Sequence, residues 1–258
     1  MVLRFVDTHC HLDFECFQAN LDEVVQEAMA VGVERFLIPG TRASGWAYQR
    51  GICERYPSRL FPALGVHPYF VRQHAACSSA DLERELTLSN GVYEAIGETG
   101  LDGRQADSFS LQQALFELHI KLALAYDLPL LIHAVKAHAE VVAVIKRYPG
   151  VRGVIHGFSG SYETAMAYIA RGFYLGVGGV ILRPTASKTR QALARVPVDH
   201  LVLETDSPDM VVPGGKSPNS PVQIPRIFKA LAAIRDEEES TLAAQCQENA
   251  NRLLAWNH

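Results

Sequence analysis

The chain has 258 residues, of which 48% are hydrophobic and 20% charged, which excludes a disordered chain and suits one large α/β domain or two small ones. The longest apolar runs have the length of strands, which excludes a membrane-spanning helix of ~20 residues. A net charge of −4 excludes a general attraction to nucleic acid, so a polyanionic substrate would need metal ions and a few basic side chains.

The beginning of the chain and its cysteines indicate a cytoplasmic protein. Residues 1–4 lead directly into an apolar strand, without the basic start and long apolar run of a signal peptide. We expect reduced thiols, because the cysteines are irregularly spaced and none forms a Cys-x-x-Cys pair. They are Cys10, Cys16, Cys53, Cys77 and Cys246. Nothing in the sequence indicates a membrane or an obligate protein partner.

Strand and helix patterns alternate along the whole chain. The predicted strands are residues 3–9, 33–39, 60–66, 93–97, 128–132, 153–155, 173–177 and 201–203. The predicted helices are residues 21–31, 45–56, 79–88, 110–126, 137–147, 161–171, 186–195, 222–235 and 239–254. Residues 209–221, rich in Gly, Pro and Ser, are predicted to form a loop.

These repeating units predict the fold class. Continuous apolar strands are typical of a parallel sheet covered on both faces. Eight strand–helix units in about 250 residues predict a single (β/α)8 TIM-type barrel domain over residues 1–258. Its functional site would lie at the carboxyl ends of the strands. A doubly wound open sheet is the alternative, but no Gly-x-Gly-x-x-Gly sequence opens a helix here.

The first predicted strand ends in a pair of histidines. On a strand, alternate side chains share a face, so His9 and His11 point to one side and Cys10 to the other. On a helix the two histidines would diverge by about 200°. A His-x-His pair on a strand can bind one metal ion through neutral imidazoles. An isolated pair would equally suit two polar residues at a strand end, so the interpretation depends on the remaining strands.

Four later strands are also followed by a side chain that binds metals. Glu98 follows the fourth strand, His133 the fifth, His156 the sixth and Asp206 the eighth. Because the carboxyl ends of barrel strands meet at one face, all these side chains would share one pocket. Imidazoles with carboxylates suit borderline metals such as zinc, manganese or iron. One tetrahedral ion that keeps an open position cannot bind all these ligands. Two ions that share one carboxylate fit this number better.

The motifs, in this order, resemble the TatD deoxyribonuclease family, metal-dependent hydrolases among the amidohydrolase-like barrels. The resemblance spans nearly the whole chain. It is carried by residues 7–13 (Asp-Thr-His-Cys-His-Leu-Asp), 65–68 (Gly-Val-His-Pro), 95–102 (Ala-Ile-Gly-Glu-Thr-Gly-Leu-Asp), 132–133 (Ile-His), 156–160 (His-Gly-Phe-Ser-Gly) and 204–208 (Glu-Thr-Asp-Ser-Pro).

The resemblance implies a binuclear site with two divalent cations per subunit, which would be zinc, manganese or magnesium. His9, His11 and Asp206 would hold one ion, His133 and His156 the other, and Glu98 would bridge the two ions. The implied activity is that of a TatD-like exonuclease, a phosphodiesterase that hydrolyses DNA or another phosphodiester with metal-activated water. Asp206 would also accept the proton from this water, and Glu98 would hold the ions in register.

Other polar residues have less certain roles. Contacts to the phosphate oxygens are predicted for His67, His138 or Lys216. Two interpretations are open for each of four residues. One is a functional residue, and the other is a residue that only supports the ligands or is merely solvated; the four are His67, His138, Asp102 and Asp13.

Positions expected to face the substrate depart from the family pattern. Gly157 stands where Cys is common, Ala134-Val135 replaces a small residue followed by Arg, and Gly214-Gly215-Lys216 replaces Arg-Gly. Two alternatives therefore stay open. One is a hydrolase of a small amide, ester or lactone on the same barrel, and the other is a non-catalytic metal-binding protein.

Overall fold

The computed structural model describes residues 3–73, 79–89 and 91–256. Eight strands follow the order β1 to β8 in one sheet, and the strand pairs in each part of the chain are parallel. Helices connect the strands, so the fold is the predicted (β/α)8 barrel. The strands are β1 (Phe5–Asp7), β2 (Val33–Ile38), β3 (Leu60–Leu64), β4 (Ala95–Asp102), β5 (Leu130–Val135), β6 (Gly153–Ile155), β7 (Tyr174–Val177) and β8 (Leu201–Leu203).

The helices occupy the predicted stretches, with one short addition near the beginning of the chain. They are α1 (Glu15–Gln18), α2 (Leu21–Ala30), α3 (Trp46–Arg55), α4 (Ser79–Leu88), α5 (Phe109–Tyr126), α6 (His138–Ile145), α7 (Tyr162–Ile169), α8 (Ser187–Arg195), α9 (Ile224–Arg235) and α10 (Glu239–Leu254). Helix α1 was not predicted, because four residues are too few for a helical hydrophobic period.

Two strands extend beyond their predicted ends. Strand β4 continues to Asp102 and β5 to Val135, and Gly100 and Asp102 pair with His133 and Val135 in parallel register. Glu98 and His133 therefore lie within strands instead of following them. The polar Glu98 interrupts the apolar run that defined the predicted strand, although the side chain is only 1% exposed.

Strand β1 is shorter than predicted and ends at Asp7. The backbone turns there because the Asp7 carboxylate accepts a hydrogen bond from the backbone amide of His9, at 3.2 Å. An Asp side chain that bonds the amide two residues on commonly replaces a strand hydrogen bond in this way. The histidine pair thus follows the strand directly.

Contacts within the chain divide it into two compact units. Unit 1 comprises Met1–Ile38 and His156–His258, and unit 2 comprises Pro39–Ile155. In the core of unit 1, the ring of Phe5 on β1 lies 5.0 Å from that of Phe228 on α9. The predicted single domain over residues 1–258 stays a prediction.

Unit 2 is built on the packing of helix α5 against strand β4. The apolar side chains of Phe116 and Ile120 on α5 are fully buried. His119 lies between them in sequence and is also fully buried. Its Nε2 atom accepts a hydrogen bond from the amide of Val66, at 3.2 Å, and thereby fixes the backbone just before His67.

Four cysteines, Cys10, Cys16, Cys53 and Cys246, are free thiols, and Cys77 lies outside the described residues. None of the helices in the described ranges combines the length and the hydropathy that crossing a membrane requires.

Candidate metal centre

A first cluster in unit 1 consists of His9, His11 and Asp206. The Nε2 atoms of the two histidines lie 3.5 and 3.6 Å from the same oxygen, Oδ1 of Asp206. Cys10 is turned away, with its Sγ atom 3.8 Å from the carbonyl oxygen of Leu37. Both imidazoles face one side and the thiol faces the other, although the three residues lie beyond the end of β1 and strand alternation is therefore not the cause.

Hydrogen bonds between the segments that follow β1 and β8 hold this cluster together. The amide of Asp206 donates to the carbonyl of His9 at 2.9 Å. The Asp7 carboxylate accepts from the amide of Thr205 at 3.0 Å and from its hydroxyl at 2.5 Å. Burial raises the pKa of Asp7 to about 7, and the hydrogen bonds from Thr205 and His9 oppose this rise.

The spacing of the first cluster fits a metal ion. Two ligands at ~2.1 Å from a tetrahedral ion are separated by about 3.4 Å. The observed separations of 3.5 and 3.6 Å match that value and exceed a normal N–H···O hydrogen bond. Burial alone would raise the pKa of Asp206, but the imidazoles of His11, His156 and His9 lower it below its ordinary value. The carboxylate is thus held in its ionised form, which is the form that binds metals.

The ring of His156 packs against the first cluster. Its imidazole stacks on that of His9, with centroids 4.0 Å apart and planes at 10°. Its Nδ1 atom lies 3.9 Å from Oε1 of Glu204. His156 and His133 were predicted to share the second ion. His156 belongs to unit 1, and His133 belongs to unit 2.

Glu204 is a buried carboxylate in the motif of residues 204–208, and no role was predicted for it. Its Oε1 atom accepts a hydrogen bond from the amide of Gly157 at 2.5 Å. Burial raises its pKa to about 8, against the opposing effect of His156. A Cβ atom at Gly176 on β7 would lie 2.1 Å from its Oε2 atom. The available signal was its position directly after β8, two residues before Asp206.

A second cluster in unit 2 consists of His67, Glu98 and His133. The Nε2 atom of His67 and the Nδ1 atom of His133 lie 3.2 and 3.0 Å from Oε1 of Glu98. The amide of Tyr69 donates to Nδ1 of His67 at 3.0 Å, so Nε2 carries the ring proton and donates it toward the carboxylate. His67 was predicted to contact phosphate, and its ring is close enough to Glu98 and His133 to belong to the same group. Because Nε2 is a donor in this arrangement, the phosphate contact stays the prediction for His67.

Asp102 contacts His133 on the side of the ring that faces away from Glu98. Its Oδ2 atom lies 3.1 Å from Nε2 of His133, and the same oxygen accepts a hydrogen bond from Nη2 of Arg104 at 2.6 Å. Although burial would raise the pKa of Asp102, the hydrogen bonds from His133 and Arg104 hold it well below its usual range. A carboxylate that holds the distal nitrogen of a ligand histidine is common around protein metal sites. Of the two interpretations of Asp102, the structure favours the supporting one.

The remaining predicted site residues lie elsewhere on the two units. His138 is the first residue of α6 and is half-buried, Lys216 is exposed in the loop after β8, and Asp13 is half-buried after the histidine pair. Phosphate contacts by His138 and Lys216 stay predictions.

Each cluster offers two imidazoles and one carboxylate, with all three ligand atoms within 4.8 Å of one another. This donor set suits zinc and other borderline divalent ions. Three protein ligands also leave a tetrahedral ion with one open position for water or substrate. Each unit therefore contains one group of side chains that could hold a metal ion. The bridging role of Glu98, and the pairing of His133 with His156 on one ion, stay predictions.

Comparisons with known proteins place these residues in a family context. The family model for TatD related DNase matches residues 6–255. The uncharacterized metal-dependent hydrolase YjjV of Escherichia coli is 38% identical over 257 residues, which cover 98% of this chain and 99% of that protein. A crystal structure of YjjV, a TatD homologue, has a TM-score of 0.94 at 36% identity and covers 100% of both chains.

A further relative carries a more specific name. The 3′-5′ ssDNA/RNA exonuclease TatD of Erwinia billingiae is 32% identical over 248 residues, which cover 92% of this chain and 94% of that protein. The similarity to each of these relatives includes nearly the whole chain.

Proposed function

Because this chain belongs to the TatD family of metal-dependent hydrolases, we propose that it is a phosphodiesterase that acts on DNA or another phosphodiester. The observation that carries the proposal is the pair of clusters, His9–His11–Asp206 and His67–Glu98–His133, each with the same donor set. Phosphodiester hydrolysis is a reaction that two ions catalyse well, since both the attacking and the leaving oxygen need stabilisation. The relative named as an exonuclease supports the same substrate class.

The protein residues have separate roles in this proposal. His9, His11 and Asp206 would hold one divalent ion, His133 and His156 would hold the second, and Glu98 would be shared by both. When bound, such ions lower the pKa of water and neutralise charge on the phosphate. The histidines around Asp206 keep its carboxylate ionised, so this side chain is in the state that accepts a proton from the attacking water.

The first experiment is an activity assay on metal-free protein. Bound metal is removed with a chelator, and hydrolysis of single-stranded DNA is measured with zinc, manganese, magnesium or no added ion. We expect cleavage only with added metal, and the most active ion identifies the working cofactor. A His133→Ala variant serves as the control, because it removes one ligand of the second cluster and should lose this activity.

The alternative outcome is also informative. A protein that binds two ions per chain yet cleaves no DNA with any metal would contradict the proposed nuclease activity. Turnover of a small amide, ester or lactone by the same protein would then establish the alternative hydrolase.

A further inference from the structure

We propose that Tyr69, Arg104, Arg42 and Phe70 form a surface that binds an unpaired base and a neighbouring phosphate beside the His67–Glu98–His133 cluster. The inference rests on the phosphodiesterase function proposed above and names the residues by which the protein would hold a single-stranded substrate. We call these four residues the base-binding surface.

Tyr69 provides an exposed aromatic ring at the edge of the cluster. It lies in a short 3-10 turn, Pro68–Phe70, that follows strand β3. The side chain is 43% exposed, although its ring centroid is 4.8 Å from that of His67 and 6.2 Å from that of His133. A base stacked on this ring would therefore lie next to the candidate metal ligands.

Arg104 is a cation held in place beside this ring. Its guanidinium carbon is 5.5 Å from the centroid of Tyr69, and Nη2 donates to the hydroxyl of the same tyrosine. Both Nε and Nη2 bond the buried carboxylate of Asp102, which in turn bonds His133. The side chain remains 47% exposed. Because the guanidinium is already ordered, binding an anion there costs little side-chain entropy.

Arg42 and Phe70 form a second pair of the same kind. The guanidinium carbon of Arg42 lies 4.4 Å over the ring of Phe70, and that ring is 6.1 Å from His67. Arg42 is exposed and Phe70 is half-buried. Two arginine–aromatic pairs thus adjoin the same imidazole.

This combination of groups matches unpaired nucleotides. Aromatic rings stack on any base, and arginines contact the phosphates between bases, so such surfaces bind single strands with little sequence preference. In a duplex the bases are stacked inside the helix and their faces are not accessible to a protein ring. Because the net charge of the chain is −4, attraction to a polyanion has to come from local cations of this type.

The test of Tyr69 compares two substrates of the metal-loaded, full-length protein. One is an oligothymidylate of about ten nucleotides, and the other is bis(p-nitrophenyl) phosphate, a diester without a base. A Tyr69→Leu variant keeps an apolar side chain and the backbone amide that bonds His67. We expect the ratio of kcat/KM for the oligonucleotide to kcat/KM for the small diester to fall by about 5- to 150-fold, the equivalent of ~1–3 kcal/mol of stacking.

The matched control is Tyr48→Leu, which changes an exposed tyrosine on helix α3. We expect this variant to keep the wild-type ratio. An unchanged ratio in Tyr69→Leu would overturn the base-binding surface, and so would equal affinity of the wild type for duplex and single-stranded DNA. Fluorescence anisotropy of a labelled oligonucleotide measures this affinity without turnover.

Arg42 is tested by the salt dependence of binding. Each phosphate contact to a single strand contributes about 0.7 to the slope of log K against log salt concentration. The Arg42→Ala variant should lower this slope by about that amount. Arg84→Ala, which removes an exposed arginine paired with Asp81 on α4, should leave it unchanged, and equal slopes in both variants would contradict the assignment of Arg42.

The surface and the proposed function can fail separately. Absence of turnover of both substrates in every metal would refute the phosphodiesterase. Loss of oligonucleotide affinity in Tyr69→Leu, measured by anisotropy, would still support the base-binding surface in that case.

Discussion

Hydrogen bonds around the candidate ligands select which imidazole nitrogen faces the place of an ion. The carboxylate of Asp102 accepts a hydrogen bond from Nε2 of His133, so Nδ1 is the ring nitrogen beside Glu98. The amide of Tyr69 takes Nδ1 of His67, so in this residue Nε2 faces Glu98. Protein groups therefore fix both rings, but with different results. His133 presents the lone pair of Nδ1, which suits a metal ion, whereas His67 presents the proton of Nε2 to Glu98.

Asp206 is the residue with the most specific chemical prediction. Replacing it by Asn keeps an oxygen that can coordinate but removes the group that accepts a proton. We expect kcat to fall by about 10²- to 10⁴-fold with a much smaller change in metal content. Activity equal to that of the wild type would refute its role as the base.

Metal content is measured by elemental analysis, and activity is measured at saturating metal. The control is Asp209→Asn, an exposed carboxylate in the same loop, which should keep the wild-type activity.

The sequence predicted which candidate ligands come together in space more successfully than it predicted the residues that surround them. His9, His11 and Asp206 were predicted from their positions after apolar strands, and the structure brings them together. The orienting role of Asp102 and the burial of Glu204 depend on distances across the fold, and no local pattern reports such distances. His67 illustrates the same limit, since its sequence context did not reveal that it faces Glu98.

At the scale of elements, some polar residues that were predicted to follow the strands lie within them. All eight residues of β4 are buried, including Glu98 and Asp102. Strand prediction relies on apolar runs, and a functional carboxylate within a strand ends such a run early. The fold was nevertheless predictable, because the helix periods and the remaining strand runs were unaffected.

Strand β7 offers a test of how closely Glu204 is packed. An alanine at Gly176 would place its Cβ atom 2.1 Å from Oε2 of Glu204, so the buried carboxylate would have to move and lose its bond to Gly157. We expect a loss of about 1–3 kcal/mol in the free energy of unfolding together with reduced hydrolysis. Urea denaturation and the activity assay measure the two effects.

The matched variant is Gly51→Ala on helix α3, where an added Cβ atom would meet nothing within 4 Å. Alanine favours a helix over glycine, so this change should stabilise the protein by about 0.5–1 kcal/mol. Destabilisation by both variants to the same extent would show that the contact with Glu204 has no special importance.

At the scale of the whole molecule, stability should depend on pH through His119. Its Nε2 accepts from Val66 and its Nδ1 donates to the carbonyl of Leu115 at 2.7 Å, so only the neutral ring satisfies both contacts. Burial lowers its pKa to about 4 from 6.5. The unfolded chain therefore takes up the proton first, and the contribution of this group is complete above pH 6.5 and lost as the pH falls toward 4.

Between pH 7 and pH 5 the loss amounts to about 2 kcal/mol of unfolding free energy. It is measured by urea denaturation at several pH values in the wild type and in His119→Gln, since glutamine offers an acceptor and a donor but does not titrate. We expect the variant to lose less stability over this range. Parallel pH profiles of the two proteins would contradict the assignment.

The two compact units differ in the number of chain segments that form them. Unit 2 is one continuous segment, whereas unit 1 joins the beginning of the chain to its end, and the hydrogen bond from Thr205 to Asp7 spans 198 residues. At a synthesis rate of about 5–20 residues per second, these two residues leave the ribosome about 10–40 s apart. His67 and His133, the first and last members of the second cluster, are 66 residues apart in the sequence and follow each other within about 3–13 s. All residues of unit 2 are therefore synthesised before Asp206, the residue that completes the first cluster.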